Sequence, residues 1–164
     1  MQFGIKPDAM EKHNFLFEYY ALNYNELSEK MQNLVDEAKN ATASSYAPFS
    51  HFSVGAAVLL ENGTIIRGSN QENVAYPSGL CAERVAMFAA NANHPNVAPV
   101  ALAIAAKNNG EFTDTPVTPC GACRQVLLET EQRFSKPIRI VLYGKQKIFM
   151  VESVANMMPL SFEL

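Results

Sequence analysis

The 164-residue chain has no apolar run approaching the roughly 20 residues of a membrane-spanning helix, so no span is expected. Its first twenty residues, MQFGIKPDAMEKHNFLFEYY, lack the basic-then-apolar order of a secretory leader. A cytoplasmic protein with no membrane partner is the expectation. An excess of positive charge is missing too: 13 Lys and Arg stand against 16 Asp and Glu, for a net charge of −3. The scattered cations form no basic stripe, which argues against a DNA or RNA polymer as partner. Cysteine is scarce, with three in all. Three cannot all pair within one chain, and a reducing compartment disfavours disulfides, so the thiols point to a metal or to reactive chemistry. There is no internal repeat, low-complexity tract or long linker, and the length suits one domain.

What is present alternates between strand and helix signals. Residues 14–24, NFLFEYYALNY, are aromatic-rich and read as a strand or a docking arm. Leu27, Met31, Leu34, Val35 and Ala38 recur at three- and four-residue steps, predicting an amphipathic helix over 26–43 with Asn25 as its N-cap. The apolar stretch FSVGAAVLL, a turn at ENG (61–63) and TIIRG predict a hairpin. CAERVAMFAANAN (81–93) and GACRQVLLETEQ (121–132) favour helix by propensity. VALAIAA (100–106) and IRIVLY read as strands covered on both faces, and KIFMV as a short one. The expected fold is α/β: a three-layer α/β/α sandwich around a five-stranded mixed sheet.

All three cysteines fall at predicted helix starts. Cys81 opens one helix, and Cys120 and Cys123 straddle the start of another, in PCGACR. Helix N-termini carry unsatisfied N–H groups and partial positive charge, which stabilise thiolates. A C-x-x-C pair grips one metal, and Gly121 lets backbone come close to it. Alone, such a pair is as readily a structural zinc or a redox couple as part of a catalytic centre. Three thiolates with one open position is instead a catalytic zinc layout, since His13, His51 and His94 offer no convincing fourth ligand spacing. Glu83 lies two residues after Cys81, a step that turns it away from the sulfur's direction on a helix yet leaves it near the metal. That position suits a proton carrier better than a ligand.

The motifs CAERVA and PCGACRQVL, with SYAPFSHFSVGAAV and NQEN upstream and in the same order, resemble the zinc-dependent cytidine deaminase family. The closest likeness is to its small, three-cysteine, homotetrameric type. The resemblance runs from about residue 28 to the C-terminus and implies a catalytic domain over 25–164, with residues 1–24 as an extension of unknown role. It implies Zn²⁺, one per chain, on Cys81, Cys120 and Cys123, with Glu83 as proton shuttle; this deaminase chemistry, with its three-cysteine option and non-ligand Glu, is a recognised class. The implied reaction is hydrolysis of cytidine and 2′-deoxycytidine to their uridine counterparts and ammonia, by zinc-bound hydroxide at C4, in pyrimidine salvage.

Other roles come from the same resemblance. Asn70 and Glu72 match the ribose-binding pair, and their two-residue spacing points them the same way in extended chain. Phe52 matches the aromatic that packs on the pyrimidine, and Ala82 would offer backbone to the base. Arg84 would hydrogen-bond the thiolates, which matters because Zn²⁺ with three thiolates carries −1 and is a weakened Lewis acid. Tyr76 and Phe162 are candidates for contacts across subunits; Arg124 stays open. Rival readings are a deaminase of the blasticidin-S type, an editor of polymeric nucleic acid, and a non-catalytic zinc protein. A fourth protein ligand and a dispensable Glu83 would mark the last.

Overall fold

In the computed structural model, which describes residues 11–162, the long apolar runs form the middle of one sheet. Among the described residues the strands are β1 (Tyr20–Leu22), β2 (Phe52–Leu60), β3 (Ile65–Ser69), β4 (Pro99–Asn108), β5 (Glu111–Phe112), β6 (Arg139–Tyr143) and β7 (Ile148–Val151). The helices are α1 (Glu29–Ala41), α2 (Ala82–Asn93) and α3 (Gly121–Phe134). The sheet runs β1-β7-β6-β4-β2-β3, with β5 paired to β4 off that path. It is mixed: β4 and β6 are parallel, and the other pairings are antiparallel.

The period-two alternation of a strand sorts side chains onto two faces. Ala56, Val58 and Leu60 of β2 join Leu102, Ile104, Ile140 and Leu142 against α2 and α3. Ala57 and Leu59 join Ala101, Ala103, Ala105 and Val141 against Leu34, Val35 and Ala38 of α1. Both faces are therefore covered, as uninterrupted runs require, and the three-layer α/β/α reading holds.

Glycine sets how closely the layers approach. A Cβ on Gly55 would fall 2.6 Å from Thr42 N at the end of α1, and one on Gly68 2.7 Å from Ala82 O in α2. Gly68 thus lets the helix bearing Glu83 lie directly on β3.

Two expectations need correction. The sheet has seven strands rather than five, because β1 and β5 span only three and two residues, too few for periodicity to reveal. β1 comes from the aromatic 14–24 segment and pairs with β7. Asn25 does not cap α1; it lies within a 3₁₀ turn, Tyr24–Glu26, closed by the Asn23 N–H donating to Glu26 Oε2 at 2.6 Å. Ser28 takes the N-cap position. Among the described residues no helix is long and apolar enough to cross a membrane.

Candidate active site

Two helix starts converge on one point. Cys81 is the N-cap residue of α2 and Cys120 that of α3, while Cys123 lies in the first turn of α3. Cys81 Sγ is 3.9 Å from Cys120 Sγ, and Cys120 Sγ 3.5 Å from Cys123 Sγ. All three sulfurs fall within 4.8 Å of one another, and no His, Asp or Glu belongs to the group among the described residues. Zinc–sulfur bonds of about 2.3 Å in a tetrahedron put sulfurs about 3.8 Å apart, so the trio has the spacing that zinc needs. Cys123 is buried, Cys81 half-buried and Cys120 exposed.

The donor chemistry agrees. Hydrogen bonding from Cys123 and from Arg84 pushes the Cys81 thiol down to about 5, against the opposing effect of burial. The same contact with Cys81, burial and the Glu83 charge push Cys123 strongly up. Three thiolates cannot share so small a space by themselves, and a divalent cation among them removes the conflict.

Glu83 is only 5% exposed. Burial raises its carboxyl above the usual range, offset in part by a hydrogen bond from its own backbone N–H, and it reaches the Cys123 thiol. Arg84 Nη2 donates to Cys81 Sγ at 3.9 Å. Its Nε is buried without a hydrogen-bond partner. Ala82 is wholly buried on the first turn of α2. Arg84 N and Val85 N already donate to Cys81 O.

Beside Cys81 opens a cleft of about 400 Å³, lined by Phe49, Asn70, Glu72, Tyr76, Cys81 and Arg84 among others. Asn70 is bound on several sides. Its Oδ1 accepts from Ser45 Oγ at 2.5 Å and Val54 N at 2.7 Å, and its Nδ2 donates to Phe52 O at 2.9 Å. Glu72 Oε2 accepts from Phe49 N at 2.8 Å and Ser50 N at 3.3 Å. Bonds from Ser50 and Phe49 hold its carboxyl below the usual range. They also fix the loop in which His51 adopts a left-handed φ of 55°. Phe49 and Tyr76 meet edge to face at 6.0 Å.

Phe52 stands at the start of β2 with its carbonyl on Asn70, and it is not among the cleft-lining residues. Phe162 lies apart, beside Phe88, Gln125 and Val126 of α2 and α3, where its carbonyl accepts from Gln125 Nε2 at 3.2 Å. Arg124, left open by the sequence, is a tie: its Nε donates to Pro119 O at 2.9 Å and its Nη1 to Met157 O at 3.3 Å. Phe49 escaped sequence reasoning, although it sits in the turn-rich segment just before β2. Glu131 escaped it as well. This buried carboxylate accepts from Ile138 N, Val154 N, Ala155 N and Ser153 Oγ, and no motif marks it.

Residues 28–136 match the sequence profile of the cytidine and deoxycytidylate deaminase zinc-binding region. The chain belongs to that family and is a zinc-dependent hydrolytic deaminase. Among curated relatives, the cytidine deaminase of Halalkalibacterium halodurans is 46% identical over 98 residues, covering 60% of this chain and 70% of that protein. A cytidine deaminase of Mycobacterium tuberculosis is 39% identical over 105 residues, covering 62% of this chain and 74% of its own. Among solved structures, a cytidine deaminase from Burkholderia pseudomallei superposes with a TM-score of 0.71 at 33% identity, over 83% of this chain and all of the other.

Proposed function

We propose that the chain hydrolyses cytidine and 2′-deoxycytidine to uridine and 2′-deoxyuridine with release of ammonia, as a cytoplasmic homotetramer serving pyrimidine salvage. The observation that carries this reading is a buried carboxylate, Glu83, beside a three-sulfur metal site whose Cys81 lines a nucleoside-sized cleft. Cys81, Cys120 and Cys123 would hold the zinc, which would supply Lewis acidity and lower the pKa of water toward about 7.

The protein side chains do the rest. Glu83 takes one proton from the attacking water and delivers it to the pyrimidine ring nitrogen, then moves the second, from the hydroxyl formed at C4, to the amine, which leaves as ammonia as the C4 carbonyl forms. Its burial keeps it a good proton acceptor in a dry site. Arg84 draws electron density from the Cys81 sulfur, which offsets the excess negative charge of three thiolates. Ala82 presents backbone to the base at the helix start. Asn70 keeps one N–H beyond its bond to Phe52 O, and Glu72 retains lone pairs beyond its bonds to Phe49 and Ser50. Together they bracket a sugar hydroxyl. Tyr76 and Phe162, both largely exposed, are assigned to contacts between subunits.

The family description spans nucleoside and nucleotide deaminases, and charge chooses between them here. Among the described residues Arg84 is the one cation that lines the cleft, and it is engaged by Cys81. Glu72 brings negative charge to the same cleft, so a substrate phosphate finds no free cation among the described lining residues. The test is turnover, followed by absorbance, of cytidine, deoxycytidine and deoxycytidine 5′-monophosphate, with native mass measured alongside. Turnover of both nucleosides by a tetramer, with the monophosphate poorly used, is expected. Preference for the monophosphate would overturn the substrate assignment, and a monomer active on its own the assembly.

A further inference from the structure

The segment before residue 28 lies outside the family match, yet its described part is not a loose tail. β1 pairs in register with β7, Tyr20 opposite Met150 and Leu22 opposite Ile148. Tyr19 packs edge-on against Phe149 at 4.9 Å, and Phe17 stacks on Tyr19 at 5.8 Å. Leu16 is turned outward, at 78% exposed, and Phe15 and Phe17 are less so, at 53% and 44%. Those two rings line a recess of about 260 Å³ together with Thr118, Arg124, Met157 and Pro159.

That recess borders the second cysteine motif. Thr118 and Pro119 lead directly into Cys120, and Arg124 follows Cys123. Arg124 ties the two ends together through Pro119 O and reaches out to Met157 O. Cys120 is exposed, so its position depends on what holds the loop from behind. Phe15 and Phe17 line the same recess as Arg124 and Met157.

We propose that the N-terminal arm is a strap that positions the metal-ligand loop: Phe15 and Phe17, anchored by β1 and Tyr19, wall the recess on which Arg124 and Met157 lie and so brace the Arg124 tie that holds Cys120 and Cys123 at zinc-binding spacing. Phe15 and Phe17 are positioning residues; they touch neither substrate nor metal. The inference rests on the three cysteines being the zinc site.

The test compares the zinc-loaded parent with Phe15→Ala/Phe17→Ala, Phe15→Leu/Phe17→Leu and a chain lacking residues 1–19. Two readouts matter: the rate of zinc transfer to a chromogenic chelator, and the visible spectrum of the cobalt-substituted protein, which reports thiolate geometry. The alanine pair and the truncation should release zinc about tenfold faster, in the range typical of lost outer contacts to metal ligands, with altered cobalt bands. The leucine pair should restore both. Unchanged zinc release and cobalt bands in the alanine pair overturn the strap, even if the melting temperature falls. Should the alanine pair not fold, the truncation decides by the same readouts. A parent that holds no zinc would instead refute the zinc site itself, so the two failures are distinguishable.

Discussion

Gly68→Ala is the sharpest test of how the sheet positions the chemistry. Gly68 sits in β3 opposite Ala56, and its missing side chain is the space in which the first turns of α2 lie. An added Cβ would be 2.7 Å from Ala82 O and nearer still to Ala86 N, against 3.4 Å for an ordinary contact. Both neighbours are backbone, so no rotamer change relieves the clash, and α2 must move by about 0.7 Å or more. Overpacking of this kind costs about 1–3 kcal/mol, or several degrees of melting temperature at about 2–4 °C per kcal/mol for a chain of this size. The functional effect should be larger in proportion. Cys81 and Glu83 ride on the displaced turn, and misplacing a reacting group by about 1 Å can cost about 100-fold in rate. We expect cytidine kcat to drop by about tenfold or more at 25 °C, where the variant is still folded. Steady-state kinetics with a thermal melt on the same sample measure both. Parent-like kcat and melting temperature together would refute the packing argument.

Glu131→Gln should destabilise the fold by about 2–4 kcal/mol, because an amide cannot accept all the bonds that Ile138, Val154, Ala155 and Ser153 donate; denaturant melts showing less than about 1 kcal/mol would contradict this. Asn70→Ala should lower stability by about 1–3 kcal/mol as well as raise KM, since the amide ties Ser45, Phe52 and Val54; a pure KM effect would show that the ties are idle. The Glu72 carboxyl is held below its ordinary range by its donors. Its contribution to the 49–51 loop is therefore complete above that range and lost as pH falls through the lowered value. Carbon NMR titration should find it ionising below 4.5, the ordinary value, and a midpoint at or above 4.5 would sink the assignment.

The covered strands and the three helices were readable because long apolar runs and three-residue recurrences leave strong periodic signals. β1 and β5 were not, since two or three residues carry no period and take their structure from a partner strand. The sulfur trio was legible as chemistry: C-x-x-C and a third cysteine at helix starts need no coordinates to suggest a metal. What sequence could not show was division of labour within the site. Asn70 reads as a sugar ligand but spends most of its bonds on its own chain, and Phe49 rather than Phe52 lines the cleft. Arg124 directly follows Cys123 and Arg84 comes three residues after Cys81, yet Arg124 bonds carbonyls while Arg84 bonds a sulfur. The difference comes from Met157 and Pro119, brought in by loop geometry that no local pattern encodes.

The central claim is that Glu83 moves the protons while the three cysteines hold the zinc. It is tested most directly by measuring zinc content and cytidine turnover of the parent and of Glu83→Gln, side by side. Gln preserves the size of the buried group and leaves Cys81, Cys120 and Cys123 untouched. The account predicts one zinc per chain in both proteins and turnover in the parent alone, lowered in the variant by at least about 100-fold, the lower end expected for losing a general acid–base group. Near-parental turnover by a zinc-loaded Glu83→Gln protein would contradict it.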